Sequence, residues 1–199
     1  MNTLIVTIKL LIGFYTVSIQ GNFIVVAYYS NELTEEPDII SVLDMDTEKS
    51  FKFEGDSIVS MVALLETNKE KTMRLLDTPV PRGAETLLDY ECEIYSQSHE
   101  MTNYLNNQGK AVLQSQVYMS DVPLLRKYLH NENIIKFIPY FGTDSFTEFN
   151  KFRLKLEETT HHSPILIFEI IGIEEVINLH PKIVSAISRV KQKTASIGN

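Results

Sequence analysis

A long uncharged stretch near the start of the chain places the tightest limits on what it can fold into. From Leu10 to Asn31 no side chain carries a formal charge. A secretory signal, a membrane span and a buried β-hairpin can all have such a sequence. A membrane-spanning helix needs about 20 consecutive apolar residues. Here the turn-forming tripeptide Gln20-Gly21-Asn22 interrupts the stretch at its centre, which argues against a span.

The alternation of side chains favours the hairpin. In residues 5–12, one set of alternate side chains is wholly aliphatic, while the other set includes Thr7 and Lys9. This pattern is typical of a strand with one deeply buried face. Two further strands, Phe14–Ile19 and Phe23–Tyr29, are rich in β-branched and aromatic residues. Gly21 and Asn22 lie between them, and both residue types readily adopt the positive φ that a tight turn requires. We therefore predict a core hairpin that begins a β-rich half.

A cleaved signal peptide is the alternative interpretation of the same segment. Lys9 would end the basic region, Leu10–Ile19 would be the apolar stretch, and cleavage would fall near Gly21. Two observations favour a reducing compartment instead. Cys92 is the sole cysteine, and none of the asparagines lies in a glycosylation sequon. We predict a cytoplasmic or nuclear protein, with secretion as the alternative if residues 1–21 are removed.

Length and charge limit the classes of partner. The 199 residues suffice for one compact domain or two closely packed subdomains. A formal charge of -8 argues against general binding to nucleic acid, since phosphate binding depends on basic clusters. The basic residues near the end are typical of a solvated helix face; they are Lys182, Arg189, Lys191 and Lys193.

The first half, residues 1–78, has the pattern of an antiparallel β-meander. Asp38–Asp46 and Ser50–Glu54 are predicted to follow the hairpin as paired strands. Ile58–Leu65 is too short to assign as helix or strand. Pro79, Pro81 and Gly83 predict a loop and a candidate internal boundary.

The second half, residues 84–199, predicts a mixture of strands and helices, so we expect an α+β fold with a mixed α/β C-terminal half. The predicted strands are Leu88–Tyr95, Ala111–Met119, Ile134–Tyr140 and Pro164–Ile171. Helices are predicted over Val122–His130 and from Asp144 or Ser145 to about Glu158, the second with an apolar stripe that contains Phe152 and Leu156.

The last segment, Glu174–Lys193, has apolar residues at helical spacing. Pro181 is expected to divide it into two helices or to begin a new first turn. The apolar stripe is a candidate interface, because a terminal amphipathic helix can dock on a partner as well as on its own domain. Its candidate interaction residues are Val176, Ile183, Ile187 and Val190.

One pair of motifs suggests an enzyme. Gly55-Asp56-Ser57-Ile58 and Leu179-His180-Pro181 resemble the first and last blocks of the SGNH, or GDSL-type, esterases. The resemblance implies acyl transfer with Ser57 as nucleophile and His180 as general base. Where that family has an aspartate three residues before the histidine, this chain has Ile177. No Gly-x-Asn-Asp block is present to supply oxyanion donors, so turn and capping roles are the favoured interpretation.

Other polar clusters each lack a member that their chemistry requires. Asp44-Met45-Asp46-Thr47 resembles the opening motif of haloacid dehalogenase-like phosphatases, with the threonine one residue early. His99-Glu100-Met101-Thr102-Asn103 resembles the zincin signature with asparagine in place of the second histidine. His161 and His162 are adjacent, and neighbours on an extended chain point to opposite faces. We predict no cofactor and no metal.

These patterns together favour a non-enzymatic protein that acts by protein–protein interaction, as one component of a larger assembly. Its partner is expected to be another protein or a second copy of the chain. Many tyrosines, a residue type enriched at interfaces, support this expectation. The alternatives are a secreted or virus-encoded accessory binding protein and a hydrolase of the SGNH type.

Overall fold

The computed structural model describes residues 2–31, 33, 36–63, 73–102, 110–128, 151–159 and 164–197. The chain divides into two compact units. Unit 1 contains Met1–Thr67 together with Ile170–Asn199, and unit 2 contains Asn68–Glu169. Unit 1 is therefore assembled from both end segments of the sequence.

Unit 1 contains a meander in which each strand pairs antiparallel with the next. Its strands are β1 (Thr3–Leu10), β2 (Phe14–Gln20), β3 (Phe23–Tyr29), β4 (Ile39–Asp44), β5 (Lys49–Glu54) and β6 (Ser57–Ala63). On the other side of β1 lies β12 (Pro164–Val176), of which residues 170–176 belong to unit 1.

The predicted hairpin is confirmed. Strands β2 and β3 pair antiparallel, and Gln20 lies opposite Phe23, so the turn itself is Gly21-Asn22. The predicted pairing of Asp38–Asp46 with Ser50–Glu54 is also confirmed, by β4 and β5. The segment that the sequence left open between helix and strand is strand β6 over its described part.

A second tight turn joins β1 to β2 and requires glycine. Gly13 has a φ of 79°, and the Leu10 amide donates to its carbonyl oxygen at 3.1 Å. A Cβ at this position would lie 2.4 Å from the carbonyl oxygen of Tyr29. Since both the left-handed backbone and the close approach exclude a side chain, any other residue here strains the turn.

One face of the meander is covered by the C-terminal helix α2 (Pro181–Ile197). Alternate residues of three adjacent strands and one stripe of the helix form a shared core. Its buried members are Val25, Ala27, Tyr29, Ile40, Val42, Phe51, Phe53, Ile183, Ala186, Ile187 and Val190. The packing of this stripe holds α2 on the sheet.

The opposite face of the meander is also apolar and buried. The register places the intervening residues of β1 to β4 on this face. They include Leu4, Val6, Ile8, Val17, Ile19, Ile24, Val26 and Leu43, each at most 6% exposed. Burial on two faces explains why the start of the chain reads as a nearly continuous apolar run rather than a strict alternation.

Unit 2 is built mainly from antiparallel strands. They are β7 (Met73–Leu75), β8 (Val80–Leu87), β9 (Tyr90–Thr102), β10 (Lys110–Ser120), β11 (Phe152–Thr159) and residues 164–169 of β12. Both β7 and β8 pair with β9, followed by β10, β11 and β12. A short helix, α1 (Pro123–Tyr128), follows β10 and confirms the predicted helix over its described residues.

The central strands of unit 2 have one apolar and one polar face. The apolar face buries Val117 and Met119 of β10, Leu154 and Leu156 of β11, and Phe168 of β12. On the polar face, Tyr118 lies opposite Lys155, which lies opposite Glu169. This alternation is the normal pattern of an antiparallel sheet with one core-facing side.

The expected α+β fold is wrong. The structure is mostly antiparallel sheet, with two helices among the described residues, and its second half is not a mixed α/β arrangement. The clearest error is the helix predicted to end near Glu158, because Phe152–Thr159 is strand β11. Phe152 and Leu156 are four residues apart, which places them on one face of a helix. Together with Leu154 they also occupy every second position, which places all three on one face of a strand.

Three smaller corrections concern element boundaries. Residues Pro81 and Gly83 lie in strand β8 rather than in a loop, with a register shift between them. Val176 ends strand β12, so the tail becomes helical only at Pro181, which forms the first turn. The predicted strand Ile134–Tyr140, the helix start at Asp144 or Ser145 and the pair His161-His162 lie outside the described residues.

Candidate functional site

The two residues of the esterase resemblance lie at different ends of α2. His180 immediately precedes the helix, and its Nδ1 accepts a hydrogen bond from the Lys182 amide at 3.3 Å. Ser57 begins β6 and lines a surface cleft together with Gln192 of the same helix. With a rise of about 1.5 Å per residue, roughly 18 Å of helix separates Gln192 from His180. The fold therefore does not bring Ser57 and His180 together.

A shallow, open cleft lies beside Ser57 in unit 1. It has a volume of about 600 Å³ and lies between the β5–β6 turn and the C-terminal half of α2. Its lining residues are Asp56, Ser57, Ile58, Arg189, Gln192, Lys193 and Ser196. The four helical members are spaced i, i+3, i+4 and i+7, so they form one stripe along the helix.

Charge on α2 differs from that of the chain as a whole. The helix has four basic residues and no acidic one, although the chain carries a net charge of -8. Lys182 pairs with Glu36, whose pKa is lowered by the hydrogen bond and charge of that ammonium. Arg189 pairs with Asp56 through Nη2 at 3.5 Å from Oδ1 and donates from Nη1 to the Asp56 carbonyl oxygen.

The remaining two cations of α2 have different surroundings. Lys191 places its Nζ 5.2 Å from the centre of the Phe23 ring. Lys193 lines the cleft, and among the described residues it has no carboxylate within ion-pair distance. Asp56, the acidic residue of the same lining, pairs with Arg189 instead.

The four candidate interaction residues lie on two different elements. Ile183, Ile187 and Val190 are buried in the shared core of sheet and helix, so their side chains are not displayed to a partner. Val176 is half-buried at the end of β12. The apolar stripe of α2 thus packs within the chain, which is one of the two roles that its spacing allows.

Strand β6 provides a second exposed feature next to the cleft. It lies at the end of the strand order, so in the described part of the chain its outer edge has no neighbouring strand. Val59 is 49% exposed and Met61 is 47% exposed. A register shift in β5–β6 pairing places Val59 in a bulge. An accessible edge with aliphatic side chains is a surface on which another strand can pair.

A charged network occupies the polar face of unit 2. The Tyr118 hydroxyl donates to Glu157 Oε2 at 2.8 Å, and Lys155 Nζ lies 2.9 Å from Glu157 Oε1. Lys155 also lies 4.7 Å from the centre of the Tyr118 ring. Burial and the Glu157 hydrogen bond raise the pKa of Tyr118 well above its usual value, as do the charges of Glu85 and Glu169. The groups satisfy one another, which is typical of a structural network.

The remaining polar candidates lie in strands and in one turn. Asp44 Oδ1 accepts a hydrogen bond from the Asp46 amide, and Asp46 accepts from Asn22 at 2.8 Å. Cys92 is buried in β9, where burial raises the pKa of its thiol. His99 lies in a strand rather than on the helix that a zincin site requires.

No protein-family model, no curated protein and no solved structure matches this chain. None of the helices in the described part is long and apolar enough to cross a membrane. Across those same residues, no group of three or more His, Cys, Asp or Glu side chains is arranged to hold a metal ion. The geometry of unit 1 is therefore the basis on which a function can be argued.

Proposed function

We propose that the chain is a non-enzymatic protein that binds another protein, as one component of a larger assembly. The observation that carries the proposal is the edge of β6, which has no neighbouring strand among the described residues and on which Val59 and Met61 are exposed. A strand added at this edge would gain main-chain hydrogen bonds, while pockets beside the edge would select its side chains. The cleft that adjoins this edge is an open depression beside the start of β6.

The compartment proposed with this function is the cytoplasm or nucleus. Cys92 is buried as a free thiol in β9, where it packs as a small apolar residue. A lone buried cysteine needs no oxidising compartment. Binding to nucleic acid is not proposed, because the formal charge of the chain is -8.

Affinity purification from the native source, followed by mass spectrometry, tests the proposal. The full chain should recover a stoichiometric partner, and Met61→Glu should lose it, because a charged side chain on an edge strand opposes pairing with another strand. Val184→Glu is the matched control, since Val184 is an aliphatic residue of similar exposure, at 50%, on α2. Recovery of free monomer alone, or equal loss with both variants, would contradict the proposal.

A further inference from the structure

The charge of the cleft beside β6 suggests which kind of strand the edge accepts. We propose that the edge of β6 binds an extended acidic segment of another protein, with a carboxylate of that segment placed in the cleft near Lys193. The inference rests on the function proposed above and specifies its partner. It depends on three features of unit 1: the edge, the position of the cleft and the charge of the cleft.

The edge of β6 and the cleft adjoin one another. Ser57 and Ile58 belong to β6 and also line the cleft, so the cleft begins where the edge strand begins. Side chains on a paired strand project at alternate positions to the two sides of the sheet. One set of side chains from an added strand would therefore lie on the side occupied by α2.

The cleft lining is rich in hydrogen-bond donors. Arg189, Gln192 and Lys193 face the cleft with the hydroxyl groups of Ser57 and Ser196. Asp56 is the acidic lining residue, and its carboxylate already pairs with Arg189. Since Lys193 adds a second positive charge, the lining carries more cations than anions. A carboxylate is the ligand that complements such a set of donors.

The charge of α2 is opposite in sign to the net charge of the chain. With 26 acidic and 18 basic residues, the net charge of the chain disfavours binding of an acidic segment. The four basic residues of α2, with no acidic one among them, make an exception on a single helix. Because screening limits charge interactions to about 8–10 Å in physiological salt, the local charge governs what docks beside the helix.

A peptide-binding experiment on the full chain tests this inference. The probes are two fluorescein-labelled octapeptides, one alternating valine with glutamate and one alternating valine with lysine. We expect the glutamate peptide to bind at least about tenfold more tightly than the lysine peptide. Its affinity should fall as salt is raised from about 50 to 500 mM, because the contact depends on unscreened charge.

Two variants with the same loss of charge locate the contact. Lys193→Gln should weaken binding of the glutamate peptide about three- to fivefold. Lys191→Gln should leave it within experimental error, because Lys191 lies over the Phe23 ring and does not line the cleft. Backbone amide shifts on titration should concentrate in Ser57–Ala63 and Arg189–Ser196.

Several results would overturn the inference while leaving the proposed function intact. They are failure of both peptides to bind, equal binding of the two, equal effects of the two glutamine variants, or amide shifts elsewhere. A purified partner lost with Met61→Glu but insensitive to Lys193→Gln and to salt would likewise exclude an acidic segment. A concentration-dependent dimer abolished by Met61→Glu would assign the edge to a second copy of the chain.

Discussion

Replacing Tyr118 by phenylalanine should destabilise unit 2 at neutral pH and remove a pH dependence at alkaline pH. The side chain is 5% exposed, and its hydroxyl donates to Glu157 at 2.8 Å. A buried hydrogen bond to a charged acceptor contributes about 1.5–3 kcal/mol. Because Glu157 also pairs with Lys155 and keeps that partner in the variant, we expect a loss of about 1–2 kcal/mol in the free energy of unfolding.

The alkaline behaviour follows from the raised pKa of Tyr118, which burial causes first and the Glu157 hydrogen bond second. When the pKa of a group is higher in the folded state, its full contribution to the stability of the fold is present below the pKa that it has in the unfolded chain. For tyrosine the unfolded pKa is about 10. As pH rises further, the unfolded chain releases the proton and the folded chain does not. The advantage of the wild type over Tyr118→Phe should therefore shrink by about 1.4 kcal/mol between about pH 9 and pH 11.

Urea unfolding followed by circular dichroism measures both effects, at about pH 7, 9 and 11. Glu157→Gln and the double variant complete a cycle, which should give a coupling energy of about 1 kcal/mol or more between the two side chains. Equal stability of wild type and Tyr118→Phe at neutral pH, with parallel behaviour up to about pH 11, would refute the argument that the hydroxyl is buried against a carboxylate.

Three further perturbations test other parts of the structure. Ile187→Ala should lower the free energy of unfolding by about 2–4 kcal/mol, whereas the exposed Ser188→Ala should change it by less than about 0.5 kcal/mol; similar values for both would show that α2 is not packed on the sheet. Gly13→Ala should lower the free energy of unfolding by about 3 kcal/mol or more. Gly55 has a φ of 57° and nothing within 4 Å of an added Cβ, so Gly55→Ala should lower it by about 1 kcal/mol. Thermal melts of the two variants separate the steric clash from the backbone strain. Cys92 should react with a thiol reagent only after unfolding, since it is buried with a raised thiol pKa; rapid labelling of the native chain would contradict its position in β9.

The strands of unit 1 could be predicted because local pattern and turn chemistry agree there. Alternation in β1, β-branched residues in β2 and β3, and a turn sequence between them all indicate the same hairpin. Strand β6 stayed ambiguous, since a short apolar run fits a helix equally well. The core role of Ile183, Ile187 and Val190 was visible as a stripe, but the sequence could not say whether that stripe packs on this chain or on a partner.

Unit 2 was predicted less well because two periodicities overlap in it. Phe152, Leu154 and Leu156 alternate with polar residues as in a strand. The four-residue spacing of Phe152 and Leu156 also fits one face of a helix. In β8, Pro81 and Gly83 indicated a loop, whereas an outer strand tolerates both residues at a bulge. The cleft was missed for another reason: Arg189 and Lys193 are typical of a solvated helix face, and the other wall of the cleft is a turn more than 130 positions away in the sequence.

The division of unit 1 between the two end segments affects the order in which the protein can be completed during synthesis. The meander up to β6 emerges first, with the face around Val42 and Phe51 lacking its helix. Unit 2 is then synthesised before α2, a delay on the order of ten seconds at usual translation rates. An apolar sheet face and an accessible strand edge are therefore exposed together in the nascent chain. The core shared by the sheet and α2 can therefore close only after α2 has left the ribosome.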